Sequence, residues 1–248
     1  IVISDLLIGS HTLELSKDNY KTSMTTIYIR ENFIEEKDIV LEEGVDEITN
    51  LGEGQPQSQF SVQQKSGIDM INGHEYVDLG LPSGLKWATC NVGASSSEGY
   101  GNYYAWGEIE IKSEYYGSNS KTNGKSMQDI SGNSTYDVAR AKWGGSWRLP
   151  TKEEFNELRQ KCKWQWTTQN GKKGYKVTGP NGNSIFLPAA GLRHGSLLYG
   201  AGERGCCWFS TPSESIDRFA YRLDFNSSSR SVDQGYRDFG HSVRPVSK

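Results

Sequence analysis

The residues with the clearest chemical potential in this chain are two adjacent cysteines. Residues 204–212 read RGCCWFSTP, which places Cys206 and Cys207 between Arg204 and Trp208. The thiolate is the reactive form of cysteine, and the nearby Arg204 could lower a thiol pKa. Neighbouring side chains on a strand point to opposite faces, so we expect one thiol to be buried and the other exposed. This placement favours packing or surface display over a catalytic thiol pair.

The remaining potential ligands are too scattered to form a metal site. Cys90 and Cys162 stand far from the cysteine pair, no CxxC occurs, and the four histidines are at positions 11, 74, 194 and 241. This spacing predicts neither a zinc site nor a disulfide framework. Catalytic-triad and phosphate-loop signatures are also absent from the sequence. We therefore expect no catalytic residues, no metal and no cofactor.

Composition argues against several function classes. The 248 residues carry a formal net charge of −3, which gives no general nucleic-acid-binding surface. Aromatic residues make up 11% and glycines number 28, a composition that suits short strands joined by tight turns. No apolar run is long enough to span a bilayer. No signal peptide opens the chain, and because its first residues look like the middle of a domain, we expect it to begin after a cut.

Alternating apolar residues predict a small β module at the start of the chain. HTLEL (11–15) and TIYIR (26–30) each place two aliphatic side chains on one face, and IVL (39–41) closes the segment. Three short antiparallel strands are therefore predicted. Residues 43–70 are polar and lack a sustained period, which indicates a linker.

Capping signals predict two helices in the middle of the chain. Asp137 can cap a short helix over 138–142. Thr151, followed three residues later by Glu154, forms a capping box at the start of a longer helix. Cys162 falls on the apolar side of that helix, where a free cysteine acts as a small hydrophobe.

The rest of the second half has a β pattern. YYAWGE (103–108) is predicted as an aromatic strand and 112–135 as a surface loop. The clearest strand is 218–226, whose alternation assigns Phe, Tyr, Leu and Phe to a core face and Arg, Ala, Arg and Asp to a polar face. Trp164 and Trp166 alternate on one strand face and are predicted to pack. Short strands are also predicted in GYKVTG, NSIFLPAAG, GCCWFST, RSVDQGYRD and GHSVRPV.

Two resemblances account for the domain organisation. The segment GSHTLELSKDNYKTSMTTIYIRENFIEEKDIVLE resembles the C-terminal two-thirds of a PEGA domain, with Asn19 where glycine is typical. It implies a partial PEGA-like β module over 1–44, followed by a linker over 45–70. PEGA domains are common in bacterial envelope proteins.

The second resemblance covers essentially all of 71–248. Its motifs are HEYVDLGLPSGLKWATCNVGA, YYAWGE, WGGSWRLPTKEEFNEL, YKVTGPNGNSIFLPAAG and the closing SVRPV. They resemble the Fibrobacter succinogenes major paralogous domain, abundant in surface proteins of gut Bacteroidetes. That family shares its C-type-lectin-like fold with formylglycine-generating enzymes. The resemblance implies an α+β domain with two helices and a mainly antiparallel, twisted sheet.

The last segment is similar to a narrower group, the variable regions of diversity-generating retroelement targets. GCCWFSTP stands where relatives commonly have GYYWSSTP, and one adenine change converts a TAC tyrosine codon to cysteine. Phe209 in place of serine departs from that pattern. The resemblance implies a ligand-display region over 191–246. The displayed residues would be His194, Tyr199, Glu203, Arg204, Cys206, Cys207, Arg218, Arg222, Asp224, Arg230, Asp233, Gln234, Tyr236, Asp238 and His241.

Together these features predict a non-enzymatic ligand-binding protein at the cell surface. We expect a lipid-anchored envelope protein whose N-terminus is missing here, with an unknown protein or glycan as ligand. We expect no nucleic-acid partner and no transmembrane segment in this chain.

Several alternatives stay open. A thiol oxidase of the formylglycine-generating type would use two cysteines a few residues apart, a spacing that Cys206 and Cys207 lack. A fixed structural or adhesion module would carry the same surface without diversification. A calcium-dependent lectin is disfavoured because the E-P-N, Q-P-D and W-N-D motifs are absent, whereas a metal-free carbohydrate site could use Tyr199 or Tyr236 as stacking platforms.

Overall fold

The computed structural model describes residues 9–15, 23–29 and 69–248, in two compact units divided between Ile68 and Asp69. In the first unit, β1 (Gly9–Leu15) pairs antiparallel with β2 (Ser23–Ile29). These two strands confirm the first two of the predicted N-terminal module. The third predicted strand and nearly all of the predicted linker lie outside the described residues. The second unit already begins its first strand at Met70, one residue before the predicted domain start.

The second unit is a mixed α+β domain of mostly antiparallel sheets. Its helices are α1 (Val138–Trp143), α2 (Lys152–Lys161) and a 3-10 turn at Gly117–Asn119. Its strands are β3 (Met70–Ile71), β4 (His74–Asp78), β5 (Lys86–Ala88), β6 (Lys163–Gln169), β7 (Lys172–Thr178), β8 (Ser184–Pro188), β9 (Leu192–His194), β10 (Leu197–Tyr199), β11 (Arg204–Pro212), β12 (Phe219–Asn226), β13 (Arg230–Tyr236) and β14 (Val246–Ser247).

The strands of this unit form four antiparallel sheets. Their orders are β14-β5-β4-β3, β6-β7-β8, β10-β9 and β11-β12-β13. Val246 pairs with Trp87, so the last strand returns to one of the first strands of the unit. No helix among the described residues is both long and apolar enough to cross a membrane.

The predicted helix starts are confirmed. The Asp137 carboxylate accepts hydrogen bonds from the N–H groups of Ala139 and Arg140 at 2.9 and 3.1 Å and caps α1. Thr151 and Glu154 form the reciprocal capping box of α2. The second helix has about the predicted length of three turns, but it ends at Lys161, and Cys162 is an extended, half-buried C-cap that packs against the core.

One core lies between α2 and the sheets β6-β7-β8 and β11-β12-β13. Phe155, Tyr175 and Phe225 are buried in it. Trp164 and Trp166 pack edge-on against Tyr175, with ring centroids 5.5 and 5.1 Å away, as the sequence predicted. These aromatic contacts supply much of the buried area in a chain that is lean in aliphatic residues.

A second core, built around α1, explains why β11 is covered on both faces. Cys207 and Phe209 point into the first core, whereas Trp208 points into the second beside Trp106 and Trp147. The expectation that one of the two cysteines is exposed is therefore wrong, because each face of β11 meets buried side chains.

Two other predictions are corrected by side-chain hydrogen bonds. The predicted strand 103–108 is not a strand, because only Tyr104 forms a bridge, to His241. Trp106 Nε1 donates to the Phe209 carbonyl at 2.8 Å, so a side-chain hydrogen bond of the indole, and not a continuous strand ladder, anchors this segment. The predicted surface loop 112–135 contributes buried side chains, at Tyr115, Thr122 and Ile130.

Arg237 is a buried side chain that ties loops to the sheet. Its guanidinium lies over the ring of Trp106, with 4.5 Å between Cζ and the centroid. Nη1 donates to the carbonyls of Thr122 and Lys125 at 3.2 and 2.7 Å. Nε donates to the carbonyl of Phe219 at 3.0 Å, which fixes the start of β12.

Arg244 has a similar role at the other end of the domain. Nη1 donates to the carbonyls of Ala88 and Thr89 at 3.0 and 2.8 Å. Nη2 donates to the carbonyl of Phe186 at 2.8 Å, and Nε to Asn91 Oδ1 at 2.9 Å. One fully buried guanidinium therefore joins the end of β5, strand β8 and the C-terminal segment.

Replacing Arg244 should destabilise the whole second unit. Arg244→Ala leaves four acceptors without their donor in the interior, and we expect a loss of at least about 3 kcal/mol in the free energy of unfolding. Urea unfolding followed by tryptophan fluorescence measures this loss. The control is Lys173→Ala, which changes an exposed side chain of β7 and should keep the free energy of unfolding within about 0.5 kcal/mol of the wild type. A loss below 1 kcal/mol for Arg244→Ala would contradict the structural role.

Candidate functional site

The sheet β11-β12-β13 gathers five of the predicted ligand-binding residues on one face. In its register Cys206 lies opposite Asp224, and Arg222 lies opposite Asp233. Side chains of directly opposed residues share a face, and alternation along β11 adds Arg204 to it. We call these five residues the polar cluster.

The charged members of the polar cluster form one ion-pair network. Arg204 donates two hydrogen bonds to the carboxylate of Asp224, from Nε to Oδ1 at 2.7 Å and from Nη2 to Oδ2. This hydrogen bonding raises the pKa of Arg204. Arg222 Nη2 lies 2.9 Å from Asp224 Oδ2 and 3.5 Å from Asp233 Oδ2. The side chains of Arg204 and Asp233 are 42% and 54% exposed, so the network reaches solvent at both ends. Two cations and two anions give the cluster no net formal charge.

His241 supports the polar cluster from beneath. Its imidazole packs on Trp208 with centroids 4.1 Å apart and is completely buried. Nε2 lies 3.1 Å from Arg222 Nη1 and Nδ1 lies 3.1 Å from the Gly240 carbonyl. Nδ1–H therefore donates and Nε2 accepts. Burial, with the charge of Arg222, holds the pKa of His241 well below its usual value, so the ring is neutral and its nitrogens are occupied.

The two adjacent cysteines are not reactive thiols. Cys206 and Cys207 are both free and both buried. Burial raises the pKa of Cys206 to about 12 and that of Cys207 to about 11. Arg222 and Arg204 oppose the rise at Cys206 but do not overcome it. Both thiols therefore stay protonated near neutral pH and are poor nucleophiles.

Five aromatic rings form a continuous series that we call the aromatic run, which starts at the cross-strand pair of Phe219 and Tyr236. The centroid of Phe219 lies 4.5 Å from that of Tyr236, which lies 5.5 Å from Phe239. Phe239 lies 4.5 Å from His194, which lies 6.0 Å from Tyr116. Tyr116 and Tyr236 are 43% and 48% exposed, so the run offers ring surface to solvent along its length.

Backbone pairing holds the aromatic run in place. Arg193 exchanges two hydrogen bonds with Gly240, of 2.8 and 2.9 Å, which sets His194 beside Phe239. Tyr115 exchanges two with Gly195, of 3.0 and 2.9 Å. Gly195 has φ +57, and a Cβ there would lie 2.8 Å from the Tyr116 hydroxyl, so this close approach requires glycine.

The predicted ligand-binding residues divide by exposure. The structure places Cys206, Cys207, Arg222, Asp238 and His241 in the interior, which corrects the expectation that they are displayed. Cys207 is buried in the first core, whereas Arg222 is buried because His241 of the C-terminal segment covers the face of β12 that the sequence assigned to solvent. Exposed members of the set are His194, Tyr199, Glu203, Arg218, Arg230, Asp233 and Tyr236, with Arg204, Asp224 and Gln234 half-buried.

Sequence reasoning missed three members of the aromatic run. Phe219 was assigned to the core face of the strand 218–226, Tyr116 stands in a Ser/Asn/Gly-rich segment predicted as a surface loop, and Phe239 was not singled out. Among residues 9–15, 23–29 and 69–248, no group of three or more His, Cys, Asp or Glu side chains could hold a metal ion.

Comparisons with protein-family models, curated proteins and solved structures find no match to this chain. The assignment of the site therefore depends on its geometry and on the sequence resemblances.

The cysteine pair should resist alkylation in the native protein. With a pKa of about 12, Cys206 is about 0.01% thiolate at pH 8, so we expect its reaction with iodoacetamide to be about a thousandfold slower than in the unfolded chain. Mass spectrometry of timed samples, with guanidinium-unfolded protein as the reference, gives both rates. Equal rates in the two states would contradict the burial and protonation of this thiol.

His241 should make the domain sensitive to acid. Its folded-state pKa is depressed, so its contribution to stability is present above the unfolded value of 6.5 and is lost as pH falls below it. We expect the unfolding free energy to fall by up to about 1.4 kcal/mol per pH unit below pH 6.5 from this one proton. His241→Gln should remove that slope, whereas exposed His194→Gln should keep it. Parallel pH profiles for wild type and His241→Gln would show that His241 has no such effect.

Proposed function

We propose that residues 69–248 form a C-type-lectin-like domain that binds a ligand at the cell surface. The observation that carries the proposal is that the sheet β11-β12-β13 and its neighbouring segments hold both the aromatic run and the polar cluster. Exposed tyrosines, an arginine and mixed charges on a rigid scaffold are the side chains on which binding surfaces depend most.

The site contains buried residues that position their neighbours and exposed residues that can contact a ligand, which supports a role in recognition. Trp208, His241 and Arg222 are buried and fix the positions of others, while Tyr236 and Arg204 present surface and hydrogen-bonding groups. Ordering these groups in advance lowers the entropy cost of binding. The ligand is a protein or a glycan, and the tyrosine rings suit either, since aromatic faces stack on sugars as well as on side chains.

The resemblance to retroelement-diversified proteins adds a mechanism for generating specificity. We propose that variation, where it occurs, is confined to exposed positions of 191–246, such as His194, Glu203, Arg218 and Asp233. The buried residues of the same segment form the scaffold, and their replacement would leave cavities or unsatisfied polar groups.

A thiol oxidase is the weaker candidate. Such an enzyme needs an accessible thiolate, whereas burial raises the pKa values of Cys206 and Cys207 to about 12 and 11. A fixed adhesion module remains an alternative that shares the binding surface but lacks diversification. The PEGA-like segment suits either form and supports an envelope location, with no cofactor.

The binding proposal is tested with a glycan microarray and a phage-displayed peptide library as probes. We expect the wild type to select at least one class of ligand, and Tyr116→Ala with Tyr236→Ala to weaken that binding at least about thirtyfold, because central aromatic residues dominate such interfaces. The control is Lys176→Ala, which changes an exposed side chain of β7 and should bind as the wild type does. The double variant Cys206→Ser with Cys207→Ser distinguishes ligand binding from thiol oxidation. It removes both thiols, so it would abolish oxidation, but a folded variant should still bind the ligand.

Two outcomes would overturn the proposal. One is the absence of selective binding to either probe. The other is binding that the tyrosine substitutions leave unchanged although the variants are folded by circular dichroism.

A further inference from the structure

An open groove lies between the last turn of α2 and the turn that joins β12 to β13. Arg159, Gln160, Ser228, Ser229 and Arg230 line it, and its volume is about 400 Å³. This volume falls within the range of about 300–1,000 Å³ typical of small-molecule sites. All five lining residues have polar side chains, so a ligand there can be recognised by charge and hydrogen bonds.

The groove carries uncompensated positive charge. Arg159 and Arg230 are exposed, and neither forms an ion pair with any residue in the described part of the chain. Lys161 and Lys163 follow Arg159 closely, without an intervening acidic residue. Guanidinium groups bind carboxylates and sulfate or phosphate esters through paired N–H donors. The groove therefore favours an anionic ligand.

Arg230 is positioned for binding before any ligand arrives. Its Cζ lies 5.6 Å from the centroid of the Trp164 ring. Trp164 is in turn held edge-on by Phe155 and Tyr175, with centroids 5.9 and 5.5 Å away. Stacking on an indole restricts the side chain and leaves the N–H edges free to donate.

The turn on the other side of the groove supplies hydrogen-bond acceptors. Asn226 Oδ1 accepts from Ser228 N and Oγ, both at 2.9 Å, and from Ser229 N and Oγ at 3.0 and 3.2 Å. Each serine hydroxyl lies within hydrogen-bonding distance of Asn226 Oδ1 and keeps lone pairs that can accept from a ligand. A ligand that carries O–H donors beside its negative charge would therefore contact both sides of the groove.

From this combination we propose that the groove binds an acidic saccharide. Its carboxylate or sulfate ester pairs with the guanidinium groups of Arg159 and Arg230, and its ring hydroxyls donate to Ser228 and Ser229. Arg230 lies opposite Phe225 in the register, on the face of the sheet away from the polar cluster. The groove is therefore a second site, independent of the proposed function.

Calorimetric titration of the full chain tests the proposal. The probes are a tetrasaccharide of uronic acids, a sulfated tetrasaccharide, a neutral tetrasaccharide and sodium sulfate, all at one ionic strength. We expect one or both acidic saccharides to bind at least about tenfold more tightly than the neutral saccharide and than sulfate. The two acidic probes distinguish a carboxylate ligand from a sulfate ester.

Matched arginine variants locate the binding. Arg159→Ala and Arg230→Ala should each weaken binding of the acidic saccharide about tenfold, since each removes a charge-assisted contact. Lys176→Ala removes the same charge from an exposed position outside both proposed sites and should change the binding less than about twofold. Tyr236→Ala should also leave it unchanged, which separates this site from the aromatic run. Equal binding of inorganic sulfate, no binding of either acidic saccharide, or an equal effect of Lys176→Ala would each overturn the proposal.

Discussion

The second unit depends on two buried arginines that donate to backbone carbonyl groups inside the domain. Arg237 and Arg244 donate to six carbonyls between them, three in loops and three on strand residues, and both arginines come from the short C-terminal segment that crosses the domain. An unpaired buried carbonyl costs about 1–3 kcal/mol, so these donors stabilise the buried loops that they reach. The surface that the loops carry is rigid because its backbone is bonded in this way.

The same segment links the scaffold to the proposed recognition surface. Between the two arginines stand Phe239, Gly240 and His241, which hold the aromatic run, pair with Arg193 and support Arg222. Strand β11 lies beneath, with both faces buried. The proposed surface therefore combines a packed interior with exposed side chains positioned by it, as a binding scaffold requires.

Local signals predicted the helix starts, since Asp137 and Thr151 act on backbone groups two or three residues away. The strand at 218–226 was also predictable from alternation, but its polar face was not. Arg222 is buried because a distant residue, His241, covers it, and a period of two cannot reveal a cover from another segment. The aromatic run was missed for a similar reason, since its rings come from three separate parts of the chain.

The central claim is that exposed positions of 191–246 recognise a ligand while buried ones hold the scaffold. Sequencing the DNA that encodes 190–248, with its flanking regions, across many related strains tests it most directly. We predict substitutions concentrated at exposed positions such as 194, 203, 218, 233 and 236, with Trp208, Arg237 and Arg244 unchanged. Substitutions spread equally over buried and exposed positions, or a uniform segment, would contradict it.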